Sequence, residues 1–250
     1  MFELNKILSF GKAKLLLGQK LVLATIIRTE GSTYRKIGTQ MIIAEDLSFE
    51  GAISGGCVES EVVRQAQSVF NGGPNLTFEY DGRYKLGCNG KLFILLEIID
   101  KSKFDKLVDL SSQFELNRSP FYLGIHSSAN GDASFFRFGD QILGIGNSYD
   151  QKEDIANAQE IVVEPQNQVI LIGSEYDAIQ LAKFASQCGF KTFLVGKNIR
   201  STDFDFVVMN IEPEELTERI PIDTNSAVVL MTHSFSRDLH FLKQLIGLNP

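Results

Sequence analysis

From residue 168 onward the apolar residues fall into short runs separated by helical stretches, a pattern that admits few folds. Val169-Ile170-Leu171-Ile172 and Thr192-Phe193-Leu194-Val195 are nearly continuous and rich in β-branched residues, as strands buried on both faces are. Phe204–Met209 and Ala227–Met231 read as two more strands. Ala178–Cys188, Pro213–Arg219 and Asp238–Ile246 carry helical spacing between and after them. Strands alternating with helices require right-handed crossovers and therefore a parallel sheet.

The first half obeys a different rule. Residues 1–15 place Phe2, Leu4, Ile7 and Leu8 on one helical face, and Leu21–Ile27 is a buried strand. Gln40–Ala44, Phe49–Ile53, Leu76–Tyr80, Lys91–Ile99, Phe121–His126 and Ala133–Phe138 read as further strands, the last two joined as a hairpin. One helix, Val58–Phe70, interrupts them with Val58, Val62, Ala66, Val69 and Phe70 on one face, and Asn71-Gly72-Gly73-Pro74 stops it. The polar, acidic stretch from Asn147 to Asn167 marks the boundary, giving domains over 1–155 and 160–250. The fold class is α/β: an N-terminal mixed α/β domain followed by a truncated Rossmann-like parallel sheet.

Charge and cysteine usage narrow the function. Hydrophobic residues at 44% exclude a disordered chain. The net charge of −7 argues against general affinity for nucleic acid or an anionic membrane. No apolar run approaches the roughly 18–20 residues of a bilayer span, and the N-terminus has no secretion pattern. Three cysteines, at 57, 88 and 188, show no zinc spacing and fit the reducing cytoplasm.

Three glycine-framed segments carry the candidate chemistry. In Ser54-Gly55-Gly56-Cys57-Val58-Glu59 a thiol stands where a strand gives way to a helix, so the positive helix end favours its thiolate. The two glycines let a ligand approach the backbone. The alternative is a plain turn with a small buried cysteine. Leu86-Gly87-Cys88-Asn89-Gly90 repeats the arrangement before a strand, where a glycine-rich hairpin explains it equally well. Thr29–Gly38, with hydroxyls, Arg35, Lys36 and two glycines, suits a phosphate or a solvated turn.

Taken together, Ala24–Met41, Gly51–Glu61 and Lys85–Glu97 resemble the XdhC/CoxI family, the xanthine dehydrogenase accessory proteins and maturation factors of related molybdenum hydroxylases. The pairing of Ser-Gly-Gly-Cys-Val-Glu with Gly-Cys-x-Gly is the specific part. The resemblance implies binding of the molybdenum cofactor (molybdopterin), help with its sulfuration, and its insertion into a xanthine dehydrogenase-type apo-enzyme. It implies Cys57 as the soft contact, with Cys88 near it, and Arg35, Gly55, Gly56, Glu59, Gly87 and Gly90 completing the cofactor site. A cysteine desulfurase and a second copy of the chain are the further partners it suggests; nucleic acid and membrane are not.

The second half resembles the family's Rossmann segment, but its fingerprint is altered. A dinucleotide site needs glycine at the second motif position, and Glu175 stands there, repelling phosphate; Gly196 stands where the ribose-binding acid belongs. Gly173, Ser174 and His233 are what remains of a nucleotide site, so NAD(P) binding is not expected. His126 alternates away from Phe121, Leu123 and Ile125 and is expected to face solvent. Family members continue past the position of Pro250, which puts the strand Ala227–Met231 at the sheet edge. No catalytic triad, paired carboxylates or metal site stands out, which favours delivery over turnover. An NAD(P)-dependent oxidoreductase and a thiol-redox or interaction protein are the competing readings.

Overall fold

The computed structural model describes residues 1–82, 90–128, 131–146, 157–197, 199 and 204–248, with the side chains of Cys57 and Ser128 outside that description. Two compact units divide the chain between Glu164 and Pro165, with Phe2 and Asn117–Ser119 grouping with the second.

The first unit holds two antiparallel sheets. One contains β1 (Leu21–Gly31), β2 (Gln40–Ala44), β3 (Phe49–Gly51), β4 (Leu76–Asp81) and β5 (Gly90–Ile99) in the order β3-β2-β1-β5-β4. The other contains β6 (Phe121–Ser128), β7 (Gly131–Phe138), β8 (Gln141–Gly144) and β9 (Gln159–Val163) in the order β8-β7-β6-β9. Three helices cover them: α1 (Phe2–Leu16), α2 (Cys57–Phe70) and α3 (Lys101–Leu116).

Both faces of the first sheet are buried, which is why β1 and β5 read as apolar runs without strict alternation. Val22, Ala24, Ile26, Ile94 and Leu96 pack against Val58, Val62, Ala66 and Val69 of α2. Removing those four α2 side chains from water contributes on the order of 5 kcal/mol to docking the helix. On the other face, Leu21, Leu23 and Ile99 meet Leu4, Ile7 and Leu8 of α1, Phe104 and Leu107 of α3, and Leu123 and Phe136 of the second sheet. Gly11 of α1 is required there: a Cβ would lie 2.4 Å from the Phe104 ring.

Three elements escape the sequence pattern, the short strand β8 among them. Helix α3 buries Phe104, Leu107, Leu110 and Ser111, a narrow stripe diluted by intervening lysines and serines. Ile161, Val162 and Val163, inside the stretch read as a polar boundary, belong to the strand β9, which pairs antiparallel with β6. His126 corrects the expectation of a solvent-facing side chain, being only 5% exposed. Gly124 on the same face lets the Phe135 ring fold over the strand, where a Cβ would lie 2.0 Å from it, so this face has apolar cover of its own.

The second unit is the expected parallel sheet. Its strands are β10 (Gln168–Ile172), β11 (Lys191–Val195), β12 (Val207–Met209) and β13 (Ser226–Leu230), in the order β12-β11-β10-β13. In chain order that is 3-2-1-4, the arrangement of a Rossmann half-sheet. Helix α4 (Tyr176–Gln187) packs on one face, while α5 (Leu216–Arg219) and α6 (Phe235–Leu245) pack on the other. The third strand is shorter than its sequence suggests, with Phe204 and Phe206 stacking their rings 4.6 Å apart just before it. Among the described residues β13 is an edge strand, as expected. No helix among them is long and apolar enough to cross a membrane.

Candidate functional site

Strand direction brings the described parts of the three glycine segments to one end of the first sheet. β2 runs antiparallel to β1 and β3, and β5 runs antiparallel to β1 and β4, so β1, β3 and β4 all end on one side of the sheet. Residues 32–39 and 52–56 therefore lie at one end of it, as do Asp81, Gly90 and the start of α2. Gly31 pairs with Gly90 across the β1–β5 ladder. A Cβ on Gly90 would sit 2.3 Å from the Ser32 carbonyl oxygen, so glycine there lets the first loop close over the start of β5. Gly87 and Cys88 lie outside the described residues.

The α2 junction is built around Glu59. Its carboxylate, 4% exposed, accepts the amides of Ile53 (3.0 Å), Ser54 (2.6 Å) and Gly56 (2.8 Å), and the Ser54 hydroxyl at 3.1 Å. Burial works to raise its pKa, but these donors outweigh it and hold the carboxyl below its usual range. Glu59 thus shapes the turn from inside and absorbs amides that a phosphate would otherwise use. Gly56 adopts φ 129°, a conformation that side chains rarely tolerate. A Cβ on either Gly55 or Gly56 would meet nothing within 4 Å among the described residues. The backbone leading into Cys57 faces open room, while the thiol itself lies outside the description.

Arg35 is placed differently. Its Nη1 lies 2.9 Å from Glu3 of α1, the helix packed on the sheet face opposite α2. The loop shares its end of the sheet with Gly55–Cys57, but the Arg35 guanidinium is drawn away from them.

In the second unit the glycines serve packing. A Cβ on Gly173 would lie 2.5 Å from the Met231 carbonyl oxygen, and one on Gly196 2.7 Å from that of Gly173. Glu175, exposed, is the N-cap of α4, and His233 Nε2 lies 2.9 Å from Asp177 Oδ2 in the first helical turn. Burial pushes the Asp177 carboxyl up, but the Ala178 amide and His233 pull harder and leave it lowered. Gly173, Ser174 and His233 do share the carboxyl edge of the sheet. The helix end that would meet a pyrophosphate, however, presents two carboxylates.

Two features lie beyond the residues singled out in the sequence. Glu97, the lone acid in the Leu92–Ile99 run, is fully buried and accepts from the Ser134 hydroxyl and amide (3.1 Å) and the Gly146 amide (3.2 Å). Burial pushes its pKa up to about 7, against those hydrogen bonds and the charge of Lys103. An acid inside an apolar strand was the available signal. The second feature is a cavity of about 430 Å³ between the two sheets of the first unit, lined by none of the candidate residues that are described.

Comparison with known proteins agrees with the motifs. Residues 15–81 match the model of the XdhC and CoxI family. A protein of Bacillus subtilis (strain 168), named as a probable xanthine dehydrogenase subunit, is 24% identical over 92% of this chain and 77% of its own length. The molybdenum cofactor insertion chaperone PaoD of Escherichia coli (strain K12) is 24% identical over 95% of this chain and 67% of its own. A crystal structure of a Bacillus halodurans protein described as a xanthine dehydrogenase superposes with a TM-score of 0.77 at 25% identity, covering 97% of this chain and 79% of that one. The resemblance read from the glycine segments is thereby borne out, with residues 15–81 as the part that matches the XdhC and CoxI family model.

Proposed function

We propose that this chain binds the molybdenum cofactor and assists its sulfuration and its insertion into a xanthine dehydrogenase-type apo-enzyme in the cytoplasm. The observation that carries the reading is the meeting of loops 32–39 and 52–56 with Gly90 at one end of the first sheet, beside a helix that begins with Cys57. The names of the two curated relatives support the same role. A thiolate is a soft ligand suited to a molybdenum centre, and Cys57 at a helix start is where one would be stabilised. The open room at Gly55 and Gly56 admits a bulky cargo, while Glu59 keeps the turn in shape without it. In this reading 1–155 is the cofactor-binding part, to which Gly87, Cys88 and Gly90 contribute, and 160–250 serves docking to the client enzyme or a cysteine desulfurase, or self-association. The carboxylates at the start of α4 weigh against an NAD(P)-dependent oxidoreductase.

The test is co-production with a source of molybdenum cofactor, followed by molybdenum and pterin analysis of the purified chain. Cys57→Ala and Cys88→Ala are each expected to lower retention at least about tenfold without changing the melting temperature. Unchanged retention in both overturns the reading.

A further inference from the structure

The cavity between the two sheets has a composition that the glycine loops do not explain. A bulge in β1 between Ile26 and Arg28 shifts the register, so that Arg28 pairs with Phe93 and shares a sheet face with it. The Arg28 guanidinium carbon then lies 3.6 Å from the Phe93 ring centroid, in stacking distance. Ile27 and Thr77 complete this wall. The facing wall follows from the register of the second sheet, where Ser127 pairs with Asp132 and Ile125 with Gln159, all on one face. Asn157 stands at the edge.

The floor is apolar, with Ile27, Leu95 and Ile125 in one buried cluster. The rim is polar. Thr77, Ser127, Asp132, Asn157 and Gln159 have no side-chain hydrogen bond or ion pair among the described residues, and the Glu30 carboxylate stands 3.9 Å from Arg28. Five polar side chains, Asp132 half-buried and the others exposed, stand around an apolar floor beside a flat cation–aromatic stack and form a ligand site of ordinary size. A guanidinium plane is a stacking platform for flat rings. A carboxylate accepts from neighbouring N–H groups, and side-chain amides match a ring carbonyl and its adjacent nitrogen.

We propose that this cavity binds a planar nitrogen heterocycle presenting adjacent amino and ring N–H groups, the edge shared by pterins and guanine, with the ring stacked on Arg28 and read by Asp132. The proposal deepens the function above, since it gives the cofactor's pterin ring a seat of its own in the first unit.

Calorimetric titration of the full chain with 6-carboxypterin, guanosine 5′-monophosphate, adenosine 5′-monophosphate and inorganic phosphate tests it. The pterin or the guanine nucleotide binds, adenosine monophosphate and phosphate do not, and Asp132→Asn and Arg28→Ala each weaken binding about tenfold or more at unchanged melting temperature. Preference between the first two probes identifies which heterocycle is the source. Binding of neither, equal binding of adenosine monophosphate, or binding indifferent to both substitutions overturns the proposal. Molybdenum cofactor retention separates the two claims. Retention lost in Cys57→Ala but kept in Asp132→Asn overturns the cavity alone. Pterin binding through Asp132 in a chain that never retains the cofactor overturns the function alone.

Discussion

The starts of α2 and α4 are both strand-to-helix turns with glycines and nearby carboxylates, yet they are built in opposite senses. At α2 the carboxylate of Glu59 turns inward and ties down three amides of the turn, while Gly55 and Gly56 face open room among the described residues. At α4 the one glycine of the turn, Gly173, is pressed against the Met231 backbone, and the carboxylates of Glu175 and Asp177 stand outside. Glycine makes way for a neighbouring strand in one turn and leaves space in front of the backbone in the other. The same residue type thus marks an open surface in the first unit and a packing constraint in the second.

The largest expected effect tests the inward carboxylate. Glu59→Ala strands the amides of Ile53, Ser54 and Gly56 and is expected to destabilise the first unit by about 3 kcal/mol. Asp177→Ala, at the exposed counterpart, is expected to lower thermal stability far less. Equal effects in a circular dichroism melt would erase the distinction. Because the folded Glu59 carboxyl lies below its usual 4.5, its contribution is present above that pH and is lost as the pH falls below it.

Glu97 sharpens the contrast with the opposite sign. Its carboxyl is raised from 4.5 to about 7, so the folded state holds a proton that the unfolded chain releases, and stability falls as the pH rises through that window. The loss is up to about 3 kcal/mol, and Glu97→Gln is expected to flatten it. Urea unfolding at pH 5 and pH 8 reads the difference; an equal slope in both proteins would contradict the assignment.

A smaller effect is expected at the packed glycine. Gly173→Ala drives a Cβ to 2.5 Å from the Met231 carbonyl oxygen and is expected to cost the second unit about 2 kcal/mol. Hydrogen exchange should show the loss in β10 and β13. A neutral outcome would mean that this turn has slack.

Much of this was legible in the sequence. The alternation after residue 168 specified a parallel sheet, since continuous apolar runs and helical spacing leave a chain few ways to bury both. Strands β1 to β7 followed from β-branched runs bounded by glycine and acidic turns. Helix α3 did not, because its stripe of Phe104, Leu107 and Leu110 is interleaved with lysines, and periodicity weakens when one narrow face is buried. His126 was misread because alternation alone assumes one wet face, and Gly124 with Phe135 supplies cover that no local pattern reveals. At the site, the three glycine segments were visible as motifs, but their convergence depends on strand direction. Arg28 was hidden by the bulge that re-aims it, a feature of pairing and not of spacing. The inward role of Glu59 was likewise unreadable before the turn amides were placed.

One substitution addresses the central claim directly. Gly55 has no steric neighbour among the described residues and no left-handed backbone requirement, so Gly55→Ala should fold normally and change only what can enter the turn. Molybdenum and pterin content should be measured on the purified variant beside its melting temperature. The expected result is a melting temperature equal to that of the parent chain with retention reduced several-fold. Full retention, or a loss of retention that merely tracks a loss of stability, would show that the open face of this turn is not where the cargo enters.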